Sequence, residues 1–112
     1  MNVTRPIIEH CVDVELEAAR KEHEEFHSLH EAYAVTLEEI DEAKLEMDTI
    51  MEAMPDVWHF VKEDDASSVF VLFGEVERAA VRLAAEAVQV AAMARKARRL
   101  GKGENKTWFG KE

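Results

Sequence analysis

Cysteine, proline, glycine and aromatic residues are all scarce: one Cys, two Pro and four Gly in 112 residues, with aromatics at 7%. A single thiol, Cys11, cannot close an intramolecular disulfide, so a reducing cytoplasm is the simplest expected setting. No apolar run approaches the ~20 residues of a membrane-spanning helix, and the N-terminus has no secretory pattern, so no membrane partner is expected. Basic residues are also few, 14 against 24 acidic ones, for a formal net charge of -10. That balance argues against sequence-independent nucleic-acid binding, which relies on neutralising phosphates. The expected partners are cations, or an anion carried in with them.

What is present favours helix. The chain is 47% hydrophobic and 34% charged, rich in Ala, Glu, Leu and Met, and almost no strand is expected. Its length predicts one domain over residues 1–100 with a core small for a monomer, followed by a flexible tail over 101–112 that holds Trp108 and Phe109. The expected architecture is all-α: an antiparallel bundle of long helices, completed by oligomerisation.

Along the chain, Pro6 suits the first turn of a helix, where its missing N–H is not needed, and the helix is expected to run to about Glu25 in a structural role. His23-Glu24-Glu25-Phe26-His27 matches the H-E-x-x-H pattern of zinc proteases. A catalytic zinc needs a third ligand and an enclosed cleft, so these are read as surface histidines. Ser28 followed by Glu31 forms a capping box that predicts the start of a second helix, with Pro55 stopping it at about Met54. Residues 55–66 read as a connection in which Trp58 and Phe60 cover one end of the bundle. A third helix is expected from about Ser68 to Leu100, capped by Asp65 or Ser67, with Gly74 a possible bend.

The chemistry concentrates in the second helix. Residues three and four apart are neighbours on a helix surface, so Glu39, Glu42 and Glu46 share a lane with Val35. Leu37, Ile40, Met47, Met51 and Met54 form the lane beside it. Carboxylates held together repel unless cations lie between them, which is what a divalent-metal site requires. A solvated acidic face is the commoner meaning of such a lane taken alone. In the third helix, Leu83, Glu86, Val90, Met93 and Ala97 place a carboxylate inside an apolar lane, with Gln89 one turn on. A buried carboxylate needs a partner: either a metal, or Arg82 four residues earlier. Arg95, Lys96, Arg98, Arg99 and Lys102 then gather at the helix C-terminus, where the dipole itself favours cations.

Two segments carry a family resemblance: Ser28-Leu29-His30-Glu31-Ala32-Tyr33 leading into Glu38-Glu39-Ile40-Asp41-Glu42, and Glu86-Ala87-Val88-Gln89-Val90-Ala91-Ala92-Met93-Ala94. Over about residues 26–100 the chain resembles the MazG-like nucleoside triphosphate pyrophosphohydrolases, especially phage-type members. The resemblance implies an all-α protein that oligomerises through helical bundles as a homodimer or homotetramer. It also implies magnesium, or manganese in its place, held by E-E-x-x-E on one helix and E-x-x-D on the next. Glu38, Glu39 and Glu42 match the first motif and Glu86 opens the second, while Gln89 stands where the pattern has Asp. An amide oxygen is a neutral, weaker ligand for a hard cation, which implies one metal fewer or a Gln that touches substrate.

The implied reaction is hydrolysis of an NTP or dNTP between the α and β phosphates, giving a nucleoside monophosphate and pyrophosphate. Glu39, Glu42 and Glu86 are the expected metal ligands, with Glu38 an extra ligand or base and Gln89 a weak ligand. Lys96 and Arg99 are the expected phosphate contacts. The rival expectation is a non-catalytic helical interaction or assembly protein with solvated acidic faces. A ferritin-like di-iron protein lacks its E-x-x-H pairs here, since neither Glu42 nor Glu86 has a His three residues later.

Overall fold

The computed structural model describes residues 4–22 and 25–101. The tail from 102 on, with Lys102, Trp108 and Phe109, and His23 and Glu24 of the H-E-x-x-H match lie outside the described residues. Three helices follow in order, α1 (Arg5–Glu22), α2 (Leu29–Lys62) and α3 (Ala66–Arg98), and a short 3-10 turn closes the series at Arg99–Gly101. There is no strand among the described residues, as the composition predicts. Nor is any helix among them long and apolar enough to cross a membrane.

Local chemistry explains the boundaries. At the start of α2 the Glu31 amide donates to Ser28 Oγ at 3.0 Å, the expected cap, while Glu31 Oε1 accepts from the His27 amide at 2.6 Å, one residue before the Ser28 amide that a capping box would use. The expected stop at Met54 does not occur, because Pro55 lies inside α2. A proline removes one backbone bond from the ladder. Buried Ala53 before it and buried Val57 and half-buried Phe60 after it carry the packed face through, and that packing outweighs the local loss. Trp58 stays 60% exposed, so it does not cover an end of the structure as expected.

The chain instead reverses at Glu63–Asp65. Asp64 takes the left-handed backbone conformation at φ 56°, a region that Asp tolerates better than most residues. Asp65 rather than Ser67 then caps α3, its Oδ1 accepting from the Ser68 amide at 3.2 Å and its Oδ2 from the Ser68 hydroxyl at 2.8 Å. Those bonds hold the Asp65 carboxyl below its usual range. The helix accordingly starts at Ala66, two residues ahead of the expected Ser68, and it passes through Gly74 without interruption.

The chain divides into two compact units. The first comprises Met1–Ile40 and Ala87–Glu112. Its core joins Val12 and Leu16 of α1, Phe26 of the connecting segment, Ala32 of α2, and Ala92 and Met93 of α3. Leu100 closes it from the 3-10 turn.

The second unit, Asp41–Glu86, is an antiparallel helical hairpin. Its α2 segment turns Ala43, Glu46, Ile50, Ala53, Val57 and Phe60 inward, and its α3 segment turns Val69, Leu72, Val76, Ala79, Leu83 and Glu86 inward. All are buried or half-buried, and both series step alternately by three and four, the seam of a coiled coil. Glu46 and Glu86 therefore occupy positions that the pattern reserves for apolar residues.

Candidate metal centre

The seam explains why Glu86, alone of the candidate carboxylates placed in it, loses solvent. Glu86 is half-buried on α3, and its Oε1 is buried with no hydrogen-bond partner among the described residues. Oxygens of Glu42 and Glu86 lie within 4.8 Å of each other. Burial pushes the Glu86 carboxyl above its usual range, and the nearby carboxylates of Glu42 and Glu46 push it further in the same direction. Glu42 also forms a hydrogen bond to Glu86 when the pair holds a proton.

Arg82 does not relieve this crowding. Its Nε donates to Glu46 Oε1 at 2.9 Å, across the hairpin, so the pairing with Glu86 considered from sequence is not made. The guanidinium neutralises the carboxylate one turn beyond Glu42. Glu39 lies one turn before Glu42 on the same continuous helix, and it is half-buried. Glu38 is exposed and does not join these carboxylates.

The first unit contains an open cavity of about 630 Å³. Glu22, Glu25, His27, Glu31, Glu39, Gln89 and Lys96 supply its polar lining, and Phe26 and Met93 part of its apolar lining. The cavity thus gathers Glu39, Gln89 and Lys96, three residues singled out from sequence. Lys96 is 4% exposed, with its ammonium 4.6 Å from the centre of the Phe26 ring, a cation–π contact. Arg99 does not itself line the cavity, but its Nη1 lies 3.8 Å from Oε2 of Glu25, which does. Arg95 likewise pairs with Asp13 of α1.

Two further residues shape this region and escaped the sequence reading. Glu15 of α1 accepts a hydrogen bond from Gln89 Nε2 at 2.6 Å, which fixes which end of the amide faces away from α1. Phe26 provides the ring beneath Lys96. Glu15 sits beside buried Leu16, three residues on from buried Val12, and that spacing was the available signal for its inward position. Chemically, the second unit offers hard oxygen donors on two helices, Glu42 and Glu86, and the first unit a buried cation, Lys96, in its cavity wall. No protein-family model, curated protein or solved structure is significantly similar to the chain.

Proposed function

We propose that the protein is a divalent-metal-dependent nucleoside triphosphate pyrophosphohydrolase of the MazG-like type, acting in the cytoplasm as a homo-oligomer. The observation that carries the reading is the Glu42–Glu86 pair, in which Oε1 of Glu86 is buried without a hydrogen-bond partner among the described residues, beside a second carboxylate. A carboxylate oxygen that loses solvent with no compensating partner is disfavoured in a fold that gains nothing from it. Carboxylate oxygens are the donors that magnesium and manganese prefer, so the set fits such an ion.

Glu39, Glu42 and Glu86 would hold the metal. When bound, it supplies charge neutralisation at phosphate and a water of lowered pKa. Glu38, exposed one residue before Glu39, keeps the role of extra ligand or base. Lys96 presents its cation to the cavity that Glu39 and Gln89 line, where it would orient the phosphate chain. Glu15 holds Gln89 by its amide nitrogen, leaving the amide oxygen as the acceptor end, in keeping with a weak ligand or a substrate contact. Arg99, paired with Glu25, contributes less than Lys96 in this reading.

The test is pyrophosphate release from a panel of NTPs and dNTPs, with Mg²⁺ and with chelator. We expect release that depends on Mg²⁺, is supported by Mn²⁺, and is lost in Glu86→Gln while helical content is unchanged. Normal Mg²⁺-dependent turnover by Glu86→Gln would remove this residue from the chemistry. The second reading, a non-catalytic helical assembly protein, is favoured by the large apolar side chains that the hairpin exposes, among them Phe70 at 74% and Trp58 at 60%. It predicts no metal dependence in any measurement.

A further inference from the structure

The open cavity of the first unit pairs an apolar floor with an acidic rim. Phe26, Val35 and Met93 give the floor, while Glu22, Glu25, Glu31 and Glu39 set four carboxylates against the single ammonium of Lys96. At about 630 Å³ it falls within the ~300–1,000 Å³ of cavities that enclose a compact ligand. Its complement is a flat apolar group flanked by positive charge.

The chain carries such a group itself. Beyond Gly101 the sequence continues as Lys102-Gly103-Glu104-Asn105-Lys106-Thr107-Trp108-Phe109-Gly110-Lys111-Glu112. Its large apolar side chains are the adjacent Trp108 and Phe109, with Lys106 two residues before them and Lys111 two residues after. An aromatic side chain buries ~150–250 Å² when covered, so the pair has much to gain from a floor of its own kind.

The segment also begins beside the cavity. Leu100 packs in the same core as Phe26 and Met93, which line the cavity, and Nη1 of Arg99 lies 3.8 Å from Oε2 of Glu25 in its rim. From Lys96 in the cavity wall to Gly101 is five residues, at most ~10 Å of helix and 3-10 turn. The seven residues from Gly101 to Trp108 span up to ~25 Å when extended, enough to return with length to spare. Gly103 permits the reversal that the return requires.

We propose that the C-terminal segment of this chain folds back over the first unit's cavity, seating Trp108 and Phe109 on the apolar floor and Lys106 at the acidic rim. A tether this short gives the segment an effective concentration in the ~millimolar range at the cavity, which favours its own chain over a second copy at micromolar protein. Gln89 and Lys96 line the same cavity, so on the hydrolase reading the docked segment stands where substrate is oriented and acts as an autoinhibitory strap. That consequence rests on the hydrolase reading, whereas the docking does not.

The experiment is acrylamide quenching of the full chain carrying Trp58→Phe, in which Trp108 is the one remaining tryptophan, without metal or nucleotide. The reference is a synthetic peptide of residues 102–112. We expect a quenching constant at least ~3-fold below that of the peptide, as for a covered aromatic. It should stay constant from about 1 to 50 μM protein, as for an intramolecular contact. In the same background Glu22→Lys reverses a charge at the rim, and Ala19→Arg adds bulk and positive charge to the lining. Each should raise the constant by at least ~2-fold, with helical content unchanged by circular dichroism. Trp108 quenched as readily as in the peptide overturns the proposal. So does protection that survives both substitutions, which would put the segment elsewhere, or protection that grows with concentration, which would assign it to a second copy. No nucleotide enters these measurements, so their outcome is separate from that of the pyrophosphate assay.

Discussion

Glu86 is the residue at which the chain departs furthest from what stability alone would select. Its seam position would be filled by an apolar side chain at lower cost, and its neighbours Glu42 and Glu46 make the charge harder to hold. The sign of the consequence is definite. A carboxyl whose folded pKa lies above its unfolded value binds its proton more tightly in the folded state. The metal-free protein therefore loses stability as pH rises from the ordinary carboxylate range through the raised value. Glu86→Gln keeps the shape and removes the charge, so its melting temperature without metal should exceed that of the parent at pH 8. The gap should close on acidification below the ordinary carboxylate range. Thermal melts of both proteins across pH check this, and equal melting temperatures at every pH would exclude a cost at this position. Asp65 works in the opposite direction: its carboxyl is held low, so its capping contribution is present above the ordinary value and fades as pH falls through the lowered one.

At the scale of the element, α2 shows how packing overrides a local signal. Pro55 is the strongest helix breaker in the chain, yet α2 extends through it to Lys62, because the three-four seam continues on both sides. The helix bears that proline at a cost, and Pro55→Ala should restore the backbone bond and raise stability by ~1–3 kcal/mol. Urea titration would register it as a higher midpoint with an unchanged slope, and a lower midpoint would show that the proline itself is preferred at this position. The same helix shows what sequence spacing conveys well. The Ser28 cap on the Glu31 amide forms as expected, and Glu31 reaches back to the His27 amide, contacts within four residues that need nothing from the rest of the fold. The end of the helix depended on residues of α3 that the local sequence does not indicate.

At the scale of the whole molecule, the acidic residues and the apolar lanes make separate demands. A divalent ion bound only to the folded state stabilises it by mass action, by ~2.7 kcal/mol at one hundred times its dissociation constant. Millimolar Mg²⁺ should raise the melting temperature of the parent chain and leave that of Glu86→Gln nearly unchanged, and calorimetry with excess Mg²⁺ against chelator separates the two. Identical curves with and without the ion would count against a metal at these carboxylates. By itself the sequence determined the helical class, the Ser28 cap, the lane of Glu39, Glu42 and Glu46, and the anomaly of a carboxylate in the apolar lane at Glu86. Those features follow from spacing along one chain, where the helical period fixes which side chains are neighbours. Only the tertiary structure decided that Arg82 goes to Glu46 rather than Glu86, that Glu15 holds Gln89, that Lys96 lies over Phe26, and that Asp65 ends the hairpin turn. The first three depend on which helix lies opposite and in what register. That is a property of antiparallel pairing over tens of residues, and no local pattern encodes it.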